Sequence, residues 1–220
     1  MEGVERRDCT AALAAGLLLG AWPLRARGAA DGSVPVILVL GDSLSAEYGL
    51  ARGSGWVALL EQRLKRGGVR ARVVNASVSG DTTAGGRSRL PALLQQHRPA
   101  VVVIELGGND ALRGLPLAGT RDNLRAMIRA SREAGARVLL LGMDMPPNYG
   151  ERYRAEFRAV YTDLARDEKV ALVPFFLAGV ADGPQATTLF QPDRIHPNEK
   201  AQPIMLDNVW PHLQRLLPRT

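Results

Sequence analysis

At 220 residues, with 46% hydrophobic and 23% charged side chains, the chain has the size and composition of one ordinary globular domain, which excludes disorder and low complexity for its body. The formal net charge is +6, but the arginines are scattered through every predicted helix without a stripe or an RNP-like box, so no nucleic-acid partner is expected. The one cysteine, Cys9, falls in the first thirty residues, and the remainder therefore has no thiol nucleophile, thiolate metal ligand or disulfide.

Residues 1–30 stand apart. Arg6 and Arg7 precede an apolar run from Ala11 to Trp22, and Gly28, Ala29 and Ala30 offer the small residues of a cleavage site. A bilayer span takes about 20 apolar residues. This run is shorter, so residues 1–30 read as a secretory signal peptide, with an uncleaved anchor as the alternative. The paired arginines permit twin-arginine export, although acidic Glu5 and Asp8 lie beside them. No repeat or shift in composition follows Asp31. Residues 31–220 are expected to form one domain, periplasmic or secreted, without stable insertion into a membrane.

From there, apolar β-rich runs alternate with helical periodicity. Val36–Leu40 is the first strand and "SGWVALLEQRLKRGG" the first helix, with Gly67-Gly68 at its C-cap. Strand Arg70–Val74 leads to "TAGGRSRLPALLQQHRP", and strand Ala100–Leu106 to "AGTRDNLRAMIRASREAG". In the latter, Leu124, Met127 and Ile128 share one face and Gly135 ends the helix. Strand Arg137–Met143 precedes "ERYRAEFRAVYTDLARDEK", and Val170–Pro174 is the fifth strand. Leu177–Asp193 reads as a long loop of the kind that carries function. A last helical segment spans Asn198–Leu217, where Pro203 and Pro211 are expected to bend or break it. Five strands alternating with helices predict an α/β fold with a parallel sheet covered on both faces.

In such a sheet the ligand site lies beyond the carboxyl ends of the strands. Those ends read "GDSLS", "NASVSGD", "LGGND" and "GMDMPPN", and after the fifth strand's loop comes "PDRIHPNEK". One edge thus collects Ser43, Gly80, Asn109, Asp193 and His196. A serine hydroxyl is a weak nucleophile until an imidazole takes its proton. The imidazole in turn needs a carboxylate on its other nitrogen. Asp193 and His196 are three apart in one turn, within reach of that contact, although the pair alone reads equally well as a satisfied loop turn. The N–H groups of Ser43 and Gly80 and the amide of Asn109 would form an oxyanion hole.

The other candidates have plainer roles. His97 closes a helix before Pro99, and His212 sits in the final helix beside Trp210. Ser45 competes with Ser43 as nucleophile but suits a helix N-cap. Asp42 and Asp110 read as orienting or capping residues. Glu105, inside an apolar strand, needs a partner if buried; it fits equally a support of the site or a structural hydrogen bond. Leu44, Leu112, Met143 and Met145 near the strand ends suit a fatty or aryl acyl group, although each singly is ordinary core. No H-E-x-x-H or other metal spacing, no G-x-S-x-G elbow and no G-x-G-x-x-G occurs.

In order, "GDSLS", "SGD", "GGND" and "DRIHPN" resemble the four blocks of the SGNH, or GDSL, hydrolases. "VVNASVSGDTTAGGRSRLPALLQQHRP", "PNYGERY", "LVPFFL" and "HPNEKAQP" extend the resemblance to the periplasmic thioesterase I / lysophospholipase / arylesterase group. It implies a flavodoxin-like three-layer α/β/α sandwich and a serine esterase with Ser43 as nucleophile, His196 as base and Asp193 as its acid. Ser43, Gly80 and Asn109 would bind the oxyanion. Implied too are a small acyl ester, thioester or lysolipid as substrate and no metal or organic cofactor; the sequence does not fix the oligomeric state, and a monomer is expected. Glu47 and Asp144 depart from the group's pattern and bear on substrate preference. The rival readings are a carbohydrate O-deacetylase of the same fold, a flavodoxin-like phosphate- or nucleotide-binding module with "GDSLS" at a helix N-terminus, and a non-catalytic interaction protein on the same frame.

Overall fold

The computed structural model describes residues 34–184 and 186–217. The expected signal peptide, its cleavage site and Cys9 lie outside the described residues.

Five strands, β1 (Val36–Gly41), β2 (Arg72–Asn75), β3 (Val101–Glu105), β4 (Arg137–Leu141) and β5 (Ala171–Val173), form one sheet in the order β2-β1-β3-β4-β5. Every pairing is parallel. Central β1 and β3 are buried along their whole length, as uninterrupted Val, Ile and Leu runs require when helices cover both faces. The long helices are α1 (Trp56–Arg66), α2 (Thr83–His97), α4 (Leu117–Glu133), α5 (Glu151–Glu168) and α7 (Gln202–Gln214). Helices α1 and α7 pack together, α2 packs on α4 and α4 on α5, which gives the expected three layers. The reversal of strand order beside β1 opens the crevice into which the first and third strand ends deliver their loops.

Differences from the sequence reading lie at element ends and in short elements. Strand β2 starts at Arg72, not Arg70, because the preceding residues complete the exit from α1: Gly68 takes φ +66° and the Val69 N–H returns to Leu64 O. Pro203 does not break the last helix. It stands in the first turn of α7, where a missing N–H costs nothing, after a 3₁₀ turn over Glu199–Ala201. That helix also runs on past Pro211 to Gln214. The long loop contains a four-residue helix, α6 (Ala186–Leu189), and a five-residue helix, α3 (Gly108–Leu112), follows β3. No helix follows β1 directly. Residues 42–50 are a chain of turns, and α1 begins only at Trp56.

Candidate active site

Register brings the site together first at the backbone. Gly41, last in β1, pairs with Glu105, last in β3, so "GDSLS" and "GGND" leave the sheet side by side. Glu105 is buried, and its Oε2 accepts the Asp42 N–H at 3.2 Å and the Ser45 hydroxyl at 2.7 Å. Ser45 Oγ in turn accepts Trp56 Nε1–H at 3.1 Å, and its carbonyl accepts Asn75 Nδ2 at 2.7 Å. Ser45 therefore caps no helix. It is a buried clip that holds the turn after β1 onto β3, β2 and α1. Glu105 is the support of that turn.

Asp42 is buried behind the turn. Its Oδ1 accepts the Leu44 N–H at 3.0 Å and its Oδ2 the Asn109 amide at 2.9 Å. The orienting role read for Asp42 is what the structure shows. Burial pushes both carboxyls up, Asp42 to about 6 against the donors from Leu44 and Asn109, and Glu105 well above the ordinary range. The Asp42 charge adds to the effect on Glu105, and Oε1 of Glu105 has no hydrogen-bond partner. The Asp42 carboxylate disfavours a second negative charge on Glu105 beside it. Asp110 ties α3 to the start of α2: it accepts the Thr83 N–H at 2.9 Å and the Thr83 hydroxyl at 2.5 Å, while Thr82 is the cap of α2.

Ser43, released by this scaffold, meets the other end of the chain. His196 Nε2 lies 2.9 Å from Ser43 Oγ, and His196 Nδ1 lies 2.7 Å from Asp193 Oδ2. Asp193 Oδ1 accepts the N–H groups of Ile195 and His196 at 2.9 and 3.0 Å, which shapes the turn. The His196 N–H, followed by its imidazole and the Ile195 N–H, holds the Asp193 carboxyl down to about 2. An ionised carboxylate only accepts. Nδ1 of the neutral imidazole therefore carries the hydrogen, and bare Nε2 faces the Ser43 hydroxyl. Tyr48 lies over the His196 ring, centroids 4.4 Å apart, and its carbonyl accepts Gln191 Nε2 at 2.8 Å. Nothing in the sequence marked Tyr48 or Gln191, whose roles arise only when the first and last loops meet.

Neither the Ser43 nor the Gly80 N–H donates to an acceptor among the described residues, so both donors are unspent. Gly80, at φ +78°, sits on the exposed loop after β2, its carbonyl accepting Arg113 Nη2 at 2.8 Å. The Asn109 amide is spent: Nδ2 donates to Asp42 Oδ2 and to Asp81 O, each at 2.9 Å. A third acceptor there has to share one of these hydrogens.

Ser43, Asn109 and His196 open onto a cavity of about 540 Å³. Leu44, Leu112, Met143 and Met145 all line it, joined by Phe175 and Phe190. Both methionines are also buried against the core, so packing and lining are one role. Asp144 lines it as well, clamped by Arg154 at 2.7 Å and Arg158 at 2.9 Å. Burial raises its carboxyl, and the two guanidiniums outweigh that, leaving it below its ordinary value. Glu47 does not reach this cavity. Its φ of +58° turns the chain, and its carboxylate accepts the N–H groups of Gly53 and Gly55 at 3.0 and 2.9 Å, closing the loop that carries Tyr48. His97 ends α2 and His212 lies in α7, both away from the site.

The model of the GDSL-like Lipase/Acylhydrolase family matches residues 39–203, from within β1 to the start of α7. The chain belongs to that family. Esterase TesA of Pseudomonas aeruginosa is 57% identical over 181 residues, 82% of this chain and 89% of the relative. Thioesterase 1/protease 1/lysophospholipase L1 of Escherichia coli is 45% identical over 181 residues, 82% of this chain and 84% of its own length. A crystal structure of TesA superposes with a TM-score of 0.80 at 55% identity, covering 83% of this chain and 99% of that one.

Proposed function

We propose that this family member is a serine esterase that cleaves acyl esters and thioesters, including lysolipids, through an acyl-enzyme on Ser43. The observation that carries the reading is the unbroken relay from Asp193 Oδ2 to His196 Nδ1 and from Nε2 to Ser43 Oγ, at 2.7 and 2.9 Å. Ser43 Oγ attacks the acyl carbonyl carbon while its proton passes to His196 Nε2. Asp193, still ionised, stabilises the imidazolium. The oxyanion is met by the unspent N–H groups of Ser43 and Gly80 and by Asn109, whose amide Asp42 orients. On collapse the carbon–oxygen or carbon–sulfur bond breaks, and Nε2–H protonates the leaving alkoxide or thiolate. A water then gives a proton to Nε2, attacks the acyl carbon and releases the acid, restoring Ser43.

The apolar cavity supports fatty or aryl acyl groups over the acetyl of a carbohydrate deacetylase, and the pairing of Asp144 removes its charge as an obstacle to them. The phosphate-binding alternative needed a helix N-terminus after "GDSLS", and the chain forms turns there. Residues 1–30 we read as an export signal, with action in the periplasm or outside the cell, supported by Arg6, Arg7 and the apolar run that follows. Hydrolysis of acetyl, butyryl, octanoyl and palmitoyl nitrophenyl esters, with Ser43→Ala as control, tests the reaction and its acyl preference. Turnover that rises beyond acetyl and vanishes in the variant supports it. Activity retained by Ser43→Ala contradicts it.

A further inference from the structure

Two hydrogen bonds hold the His196 imidazole, one at each nitrogen: Nδ1 to Asp193 at 2.7 Å and Nε2 to Ser43 at 2.9 Å. They fix where the ring lies but not its tilt, because rotation about the line joining the two partners changes neither distance much. A contact on the ring itself is needed to set that angle. Tyr48 supplies it, with centroids 4.4 Å apart and planes inclined at 40°, at the close end of the separations that attractive aromatic pairs adopt.

The chain fastens this contact from both sides. Gln191 Nε2 donates to Tyr48 O at 2.8 Å and to Pro197 O at 3.2 Å, and the Gln191 N–H donates to His196 O at 2.8 Å. A bridge between Phe190 and Pro197 braces the same turn. The backbone of Tyr48 is thereby tied to the backbone that carries His196, and the two rings close the circuit. Gly49, at φ +71°, leaves room for the clasp, since a Cβ there would collide with the Gln191 amide. Glu199 accepts the Ala51 N–H at 3.2 Å, a second tie between the two segments. Tyr48 is half-exposed, and its hydroxyl makes no hydrogen bond among the described residues. Neither Tyr48 nor Gln191 lines the acyl cavity, so neither has a part in binding the acyl group.

The contact matters most once the acyl-enzyme has formed. Ser43 Oγ is then an ester oxygen with no hydrogen to donate, and the imidazole loses its bond at Nε2. In the second half-reaction Nε2 has to take a proton from the attacking water and return it to Ser43 Oγ as the bond from the acyl carbon to Oγ breaks. Of the contacts above, Asp193 and the Tyr48 ring remain to hold the imidazole. We propose, on the serine-esterase reading above, that Tyr48, clasped by Gln191, is a positioning residue that keeps the His196 imidazole in place for hydrolysis of the acyl-enzyme.

The test compares wild type, Tyr48→Leu, Tyr48→Phe and Gln191→Met with nitrophenyl butyrate as substrate. Nitrophenolate leaves readily, so the butyryl-enzyme builds up. Its formation and decay, followed by acid quench and intact mass, measure the two half-reactions apart. An aromatic contact of this kind is worth about 3–10-fold in rate. Decay of butyryl-Ser43 is expected to slow by that factor in Tyr48→Leu, while its formation, in which Ser43 itself holds Nε2, changes by about twofold or less. In the steady state kcat and KM then fall together and kcat/KM holds. Tyr48→Phe keeps the ring and loses no partner of the hydroxyl, so it restores the wild-type decay. Gln191→Met releases the clasp and slows decay in the same sense as Tyr48→Leu, which keeps the proposal testable where the leucine variant does not fold. Formation and decay slowed equally in Tyr48→Leu, or decay equal to that of the wild type, overturns the proposal and leaves the esterase reading standing. Absence of turnover and of any Ser43 adduct in the wild type overturns that reading itself, and this role with it.

Discussion

Glu105 Oε2 fills the space that a side chain at Gly41 would need. A Cβ there would stand 2.7 Å from that oxygen, 2.8 Å from Ser45 Oγ and 2.9 Å from Ser45 Cβ. The glycine before the candidate nucleophile is thus explained by contact, with no appeal to a special backbone angle. The expected outcome for Gly41→Ala follows. Overpacking of this kind costs about 1–3 kcal/mol, and because the displaced atoms hold the turn of Ser43, turnover falls more than stability does. Thermal melts and ester kinetics on the same preparation separate the two effects.

Asp42→Asn tests the orientation of Asn109. The variant keeps Oδ1 for the Leu44 N–H but places an NH₂ against the Asn109 amide, donor to donor. Removing an oxyanion donor costs about 10²–10³ in turnover. Loss of its orientation is expected to cost about tenfold or more in kcat with KM little changed, and Asn109→Ala costs the full amount.

The buried carboxyl pair makes stability depend on pH. The folded values of Glu105 and Asp42 lie above those of unfolded carboxyls, so the folded state binds the extra proton. Their contribution is fully present below the unfolded value, about 4, and is lost as pH rises through the folded values. Glu105→Gln removes the larger part. Its melting temperature is expected to gain on the wild type as pH rises above the unfolded carboxyl value, read by calorimetry. A difference that does not change with pH would refute the raised Glu105 carboxyl.

Asp193→Asn isolates the outer link of the relay. Asparagine retains Oδ1 for the Ile195 and His196 N–H groups, so the turn survives, while Nδ2 replaces the acceptor for Nδ1–H. The imidazole then presents the wrong tautomer to Ser43. A fall in kcat of about 10⁴ is expected with little change in melting temperature.

The strands, long helices and layer arrangement were legible in the chain because uninterrupted Val/Ile/Leu runs and amphipathic helices carry their own period. Ser43, Asn109, Asp193 and His196 were legible because each stands at the end of such a run or in a turn beyond it. What was hidden depends on contacts between distant segments. The Ser45 hydroxyl suited a helix cap by local rules, yet Glu105, sixty residues away, and Trp56 claim it instead. The part Pro203 plays depended on where α7 begins, which the 3₁₀ turn before it decides. Tyr48 over His196 and Gln191 against Tyr48 have no local signal at all, since 143 residues or more separate the partners.

The Ser43–His196 contact is tested most directly by mass spectrometry of the protein after treatment with a fluorophosphonate. A single adduct on the peptide containing Ser43, forming rapidly in the wild type and about 10³-fold or more slowly in His196→Ala, is the predicted result. An adduct on Ser45 or elsewhere, or labelling of Ser43 at the same rate without the imidazole, would contradict it.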